Sequence, residues 1–274
     1  FTIPMITPAF ITSFATIILL GRSGVITMLF KYAGFEMPSV FGLGGLLVTQ
    51  VLHTIPYAVI ILIAGLKGVP RHVEEAALSM GSSVLRIHAG IVLPYILPYI
   101  LMSGLMVFLT SIGDVGGPLI IGGNYEVLSI AIFSNYISFL DDERIPLILS
   151  LWIIIISFIL LFVVNRIMEW TKSRYMKGYD PMTYDIASVR KTGSAWILIL
   201  TSALLMPYLV IFIHSLSKVW VFELIPKDFT FDNYIRIFSN LESLFNTVIL
   251  IALAAPLMIF LGLVLSHMFR YKNS

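Results

Sequence analysis

Six runs of about twenty residues in this chain have no Asp, Glu, Lys or Arg in their middles: about Pro4–Leu20, Gly42–Leu66, Pro94–Ile112, Ile145–Val164, Trp196–Ser215 and Leu244–Met268. A bilayer core about 30 Å thick is crossed by roughly 20 apolar residues in a helix. Only helices and closed barrels satisfy their backbone polar groups in lipid. The chain is 58% hydrophobic and 12% charged, against about 25% charge in soluble domains, so a water-soluble fold has too little polar surface to cover it. An all-α, polytopic transmembrane bundle of six spans is therefore predicted. Pro8, Pro56, Pro98, Pro207 and Pro256 fall inside these runs; spanning helices tolerate them where neighbours satisfy the freed carbonyls.

Orientation follows from the basic residues, which favour the cytoplasmic side. With the loop Lys67–Leu93 inside, eleven Lys and Arg residues fall in the cytoplasm (Lys67, Arg71, Arg86, Arg166, Lys172, Arg174, Lys177, Arg190, Lys191, Arg270, Lys272) and six outside. Most acids lie outside, including Glu36, Asp114, Glu126 and the run Asp141-Asp142-Glu143. Trp196 and Trp220 flank the fifth run, at the headgroup level that amphipathic rings prefer. The polar stretch Glu169–Ala195, with Gly178, Pro181 and Gly193, reads as a cytoplasmic linker between four spans and two. Phe1 is not an initiator methionine and no basic segment precedes it, so no signal peptide is expected and the chain reads as the middle of a longer one. The net charge of +2 gives no reason to expect nucleic acid, and without cysteine there is no disulfide, thiolate metal site or cysteine nucleophile.

The richest segment is 68–98, GVPRHVEEAALSMGSSVLRIHAGIVLPYILP. Pro70 suits a first helical turn, Glu74 and Glu75 suit the positive end of the dipole, and Gly81 suits a left-handed stop. Ser82 or Ser83 can cap a second short helix through Ile87 and His88, and Pro94 opens the next span. A short helix, a glycine corner and another helix are predicted on the cytoplasmic face. Ala76, Ala77 and Ser79 allow close approach of another protein. On physical grounds alone, such a helix either docks a partner or merely braces two spans.

Glu75-Ala76-Ala77, Gly81 and Ile91-x-Leu93-Pro94 resemble the EAA motif of binding-protein-dependent permeases of ATP-binding-cassette importers. The resemblance implies that loop 68–94 is a coupling element. Glu74, Glu75, Ala76, Ala77, Gly81, Ile91, Leu93 and Pro94 would then belong to the docking site for cytoplasmic ATPase subunits. Ser111–Gly123 (SIGDVGGPLIIGG) is similar to the segment that follows this loop in iron(III)-type permeases, while FTFDNY (229–234) and FNT (245–247) resemble the opening of a second permease domain. The resemblance implies a tandem-fused permease in a bacterial inner membrane. Residues 1–168 would be the end of its first domain, 169–195 a linker, and 196–274 the start of a second domain whose own EAA loop lies beyond Ser274. An extracytoplasmic solute-binding protein would deliver the solute, iron(III) first and thiamine, phosphonate or polyamine as alternatives. No cofactor is expected on this chain; ATP and Mg²⁺ belong to the partner ATPase, consistent with the lack of a G-x-x-x-x-G-K-[ST] loop.

Asp114, His53, Gly116 and Gly117 are candidates for the translocation path, because ionisable groups near membrane spans are functional candidates by default. Each has a plainer alternative: Asp114 a solvated acid, His53 and His214 packed core histidines, and Gly116 and Gly117 a tight outer bend. Gly42, Gly44 and Gly45 allow close helix approach, and the twelve methionines suit packing. Asp141–Glu143 reads as a solvated loop or a docking point for a binding protein. An ion-coupled secondary transporter would need mid-span charges or broken helices, and an intramembrane enzyme would need a paired nucleophile and base. The apolar runs offer no such charges or pair.

Overall fold

The computed structural model describes residues 3–137, 144–175, 191–220, 224, 226–238 and 241–272. The acidic run Asp141–Glu143 and residues 176–190 of the expected linker lie outside the described residues. The described chain is all-α: α1 Ile3–Ile6, α2 Ala9–Leu20, α3 Val25–Tyr32, α4 Leu43–Lys67, α5 Arg71–Ser79, α6 Val84–Ile87, α7 Leu93–Ile112, α8 Gly116–Ile121, α9 Leu128–Ile137, α10 Arg144–Tyr175, α11 Lys191–Ser215, α12 Asp232–Phe238 and α13 Glu242–Lys272. Six helical segments are long and apolar enough to span a bilayer: Ala9–Tyr32, Leu43–Lys67, Val84–Ile112, Arg144–Thr171, Ala195–Ser215 and Glu242–Met268.

Besides α10, which runs on past Val164 to Tyr175 and so into the stretch read as linker, two boundaries differ from those predicted. The first run is not one helix through Pro4–Leu20. Pro8 has no N–H to donate and disfavours helical geometry at the residue before it, so the chain breaks between α1 and α2. A second turn follows, where Gly24 N–H donates to Gly21 O and the Thr27 hydroxyl to Leu20 O, and α3 extends the segment to Tyr32. The other difference is at the third span, which does not start afresh at Pro94. Residues His88–Val92 form a π-turn that joins α6 directly to α7, with Leu93 N–H bonded to the carbonyl of His88. A proline clashes with the carbonyl four residues before it, and the wider turn makes room for Pro94 without ending the helix.

Residues Phe1–Phe212 with Val221–Leu224 form one compact unit. Within it α4 packs along α7, α10 along α7 and α9, and α2 against α4 and α8. The α4–α7 crossing is close because Gly65 lies against the ring of Tyr99, where a Cβ would meet ring atoms at 2.6–2.8 Å. Beneath the loop that carries α5 and α6, Val69, Ala77, Ile87, Val92, Tyr95 and Ile96 form a buried cluster. At the other end of α4, Val40, Leu46 and Ile121 form another, with Ile17, Leu20 and Val127 against it. The α11 residues Leu204, Pro207 and Val210 are buried in this unit, and the Tyr208 and Thr7 hydroxyls hydrogen-bond at 2.9 Å.

The second unit comprises Ile213–Trp220 and Ile225–Ser274. A short antiparallel bridge joins Ser217 to Phe229, with Lys218 N–H donating to Asp228 O and Thr230 N–H to Leu216 O. The FTFDNY motif builds this turn. The Asn233 amide donates to the carbonyls of Ser215 and Ser217, both at 3.0 Å, and the Tyr234 and Ser215 hydroxyls pair at 2.6 Å. In α13 apolar residues from Leu244 to Met268 are exposed around the whole helix, as expected of a helix whose surroundings are lipid or other spans.

Candidate functional site

Two places in the first unit gather the residues singled out from the sequence. The first is the loop 68–94 between α4 and α7. Pro70 precedes α5, and Glu74 lies in its first turn. The helix ends as a Schellman motif: Ser82 N–H donates to Ala77 O, Gly81 N–H to Leu78 O, and Gly81 has φ +81°, the left-handed geometry that glycine adopts at least cost. Ser83 caps α6, accepting from Arg86 N–H at 3.4 Å. The corner therefore forms at the predicted glycine, with Ser83 as the cap.

The small residues of α5 divide between two faces. Ala77 is 4% exposed and packs on Ile87, Val92, Tyr95 and Ile96, so it anchors the loop to the spans. Glu75, Ala76 and Ser79 are exposed, beside Leu78, Met80 and Leu85, the last two both 80% exposed. Ile91 and Pro94 are half-buried, while Leu93 is exposed. Bracing and presentation thus coexist on opposite faces of one helix. Gly81→Ala meets no neighbour within 4 Å, so its cost is backbone strain alone, about 1 kcal/mol. The expected result is roughly fivefold faster amide exchange in α5, measured by hydrogen–deuterium exchange, with the spans unchanged.

The second place is a polar web at the C-terminal end of α7. The half-buried Asp114 uses all four of its polar atoms. Its carboxylate accepts from the Gln50 amide at 2.7 Å and from Gly117 N–H at 3.0 Å. Its carbonyl accepts from the Ser129 hydroxyl at 2.7 Å, and its N–H donates to Ser111 O at 3.2 Å. The Ser111 hydroxyl closes the circuit by donating to Gln50 Oε1 at 3.1 Å. The web ties α4, the end of α7, α8 and α9 together. Gly116 and Gly117 lie packed rather than open: a Cβ on Gly116 would meet Phe10, and one on Gly117 would meet Asp114 and the Ser13 hydroxyl.

His53 lies one turn from Gln50 on the same face of α4, its ring 6.3 Å from Tyr57. Its buried Nδ1 and the buried Thr12 hydroxyl have no hydrogen-bond partner among the described residues. His214 is exposed and stacks at 5.8 Å on Trp220. The described residues contain no cluster of His, Asp or Glu suited to a metal ion. Sequence reasoning missed Gln50, Ser111 and Ser129; the available signal was an amide placed mid-helix in an otherwise apolar run.

A recess of about 200 Å³ opens beside the web, between Gln50, Ser111 and Ser129 and the apolar Leu43, Leu46 and Leu47. Asp114→Ala would strand the Gln50 amide and Gly117 N–H, a loss of about 1–3 kcal/mol. Asp114→Asn keeps an acceptor for Gly117 and, with the Gln50 amide turned over, restores the rest. A thermal melt of the detergent-solubilised protein should therefore fall clearly for Ala and much less for Asn.

Six helices long and apolar enough to cross a bilayer, with a two-faced short helix and a polar recess in the first unit, define a multi-pass membrane protein. Residues 1–177 match the family described as the binding-protein-dependent transport system inner membrane component. The chain belongs to that family, and so to the inner-membrane permeases. It is 28% identical over 291 residues to the ferric transport system permease protein FbpB of Actinobacillus pleuropneumoniae, covering 99% of this chain and 41% of that one. It is also 28% identical to the putative ferric transport system permease protein FbpB 1 of Haemophilus influenzae, of which it covers 44%. The molybdenum transport system permease protein ModB of H. influenzae is 26% identical over 179 residues, 64% of this chain and 76% of that one. The chain thus spans less than half the length of the two ferric permeases. No solved structure matches it at a significant level.

Proposed function

We propose that this chain forms part of the translocation path of an ATP-driven importer, taking iron(III) from an extracytoplasmic binding protein and driven by cytoplasmic ATPase subunits that dock on α5. The observation that carries the reading is the two-faced helix, with Ala77 anchored against the spans and Glu75, Ala76 and Ser79 turned outward. A helix fixed to two spans passes a push on its outer face directly into α7 through Ile87, Val92 and Tyr95. Residues 1–168 belong on this reading to one permease domain and 196–274 to a second, with 169–195 between them. Iron(III) is favoured by the two ferric permeases matched along nearly the whole chain. Sulfate, molybdenum and spermidine/putrescine permeases are similar over shorter stretches, so the cargo needs a direct test. An ion-coupled transporter is disfavoured by the absence of charge within the apolar runs.

The test is uptake by the full-length chain reconstituted with its ATPase and binding protein, with radioactive iron(III) as probe and the membrane potential collapsed. Uptake that requires internal ATP and persists without the potential supports the reading. Uptake that follows the potential and ignores ATP overturns it. ATP-dependent uptake of molybdate or spermidine but not iron keeps the mechanism and replaces the cargo.

A further inference from the structure

A second, wider space adjoins the recess at Tyr125. About 480 Å³ of open space lies between Ser39, Phe41 and Gly42 on one loop and Gly123, Asn124 and Tyr125 on another. Tyr125 lines both this vestibule and the 200 Å³ recess. The two loops are fixed to each other by Gly42 N–H donating to Ile121 O at 2.9 Å, and Ile121 itself is fully buried. Gly42 and Gly123 both have positive φ, 102° and 56°, so the loops are shaped turns on a rigid base. Between α8 and α9 the backbone is irregular. The irregular residues Gly123, Asn124 and Tyr125 line the open space.

We infer that the vestibule and recess are successive waiting positions for the solute at the outer mouth, with the Tyr125 side chain as the partition between them. The inference rests on the permease reading and adds its outer binding position. The recess lining offers hydroxyls from Ser111 and Ser129, the Gln50 amide and apolar walls, and none of its side chains is charged. Such a lining suits a compact solute held through hydrogen bonds and size, and for iron(III) therefore a chelated rather than a bare ion. The Gln50 amide is the exchangeable element: it bonds Asp114 and Ser111, and either bond can be traded for one to a solute. Asp114 is the post against which the amide returns, so it positions Gln50 and does not itself meet the solute. Tyr125 is 46% exposed.

The cysteine-free chain gives a direct test in the full-length complex. Charged methanethiosulfonate reagents added from outside react with hydrated thiolates and not with lipid-covered ones. Leu47→Cys reports the recess, Asn124→Cys the vestibule, and Ile154→Cys, exposed on α10, the lipid face. The expected pattern is fast labelling at 124, slow labelling at 47 and none at 154. Adding Tyr125→Ala should raise the rate at 47 by about tenfold or more while leaving 124 unchanged, and Tyr125→Trp should lower it. A thiol at 47 that stays silent, or whose rate ignores residue 125, overturns the inference, because the recess would then be sealed by lipid or another part of the protein. ATPase stimulation by loaded binding protein is measured in the same preparations. If it is absent from the parent complex the importer reading fails, whereas normal stimulation with a silent thiol fails the recess alone.

Discussion

Ala76→Trp is expected to leave the chain in the membrane at normal abundance while cutting ATP-driven uptake at least about tenfold. Ala76 is exposed, so a larger side chain there displaces nothing within this protein, and Ala77 continues to hold the helix to Ile87, Val92 and Tyr95. On the docking proposal the penalty falls on the partner. A ring inserted between two close-packed surfaces must open a gap, and a loss of about 1.4 kcal/mol in docking already weakens association tenfold. Ala77→Trp is the informative contrast. It faces the buried cluster, so overpacking of about 1–3 kcal/mol should lower abundance as well as uptake. Co-purification of the ATPase with each variant, normalised to the amount of permease, separates the two outcomes. Equal loss of protein from both variants would mean that the faces of α5 are not distinct.

Gly65→Leu carries the second large effect, on stability. A Cβ at this position would sit 2.6–2.8 Å from the Tyr99 ring, closer than any ordinary contact, so α4 and α7 must separate. Overpacking of this kind costs about 1–3 kcal/mol, and losses of that size lower cellular abundance several-fold. Because Gly65 lies three residues before the loop at Gly68, the separation also displaces α5. Tyr99→Ala combined with Gly65→Ala should recover part of the loss caused by Gly65→Ala alone, since it removes the ring atoms Cγ and Cδ2 that the new methyl meets at 2.6 and 2.8 Å while the Cβ of residue 99, at 2.8 Å, stays. A coupling of about 0.5–3 kcal/mol in this double-mutant cycle is the signature of direct contact. Strict additivity in thermal melts would show that the crossing is looser than the geometry gives.

The spans were legible because lipid imposes one rule on every residue in them, and uncharged runs of sufficient length are visible without any knowledge of packing. The corner at Gly81 was legible for a similar local reason: a left-handed stop needs glycine, and the serines beyond it can cap the next helix. The break at Pro8 escaped, since proline inside a spanning run is compatible with either a kinked helix or an ended one. Which alternative holds depends on what satisfies the freed groups. The division of labour between Ala76 and Ala77 was also invisible, because both are small and only the position of Tyr95 and Ile96 beneath the helix tells them apart. The polar web was least legible. Gln50 and Asp114 are separated by 64 residues, and a lone amide in an apolar run reads as an isolated polar residue until the fold brings its partners to it. FTFDNY carried a resemblance in the sequence, while the structure supplies its physical purpose: Asn233 and Tyr234 hold the loop after α11 in place.

The central claim is that α5 presents its outer face to a cytoplasmic ATPase. The most direct measurement places a single cysteine at Ala76 or Ser79 in the full-length, otherwise cysteine-free chain and asks whether it crosslinks to the ATPase in native membranes, with Asp228→Cys as the outer control. Crosslinking from 76 and 79, absent at 228 and sensitive to ATP, is the predicted result. Labelling of 76 or 79 by an impermeant reagent from outside the cell would contradict both the orientation and the function, and labelling from inside with no ATPase contact would contradict the docking role alone.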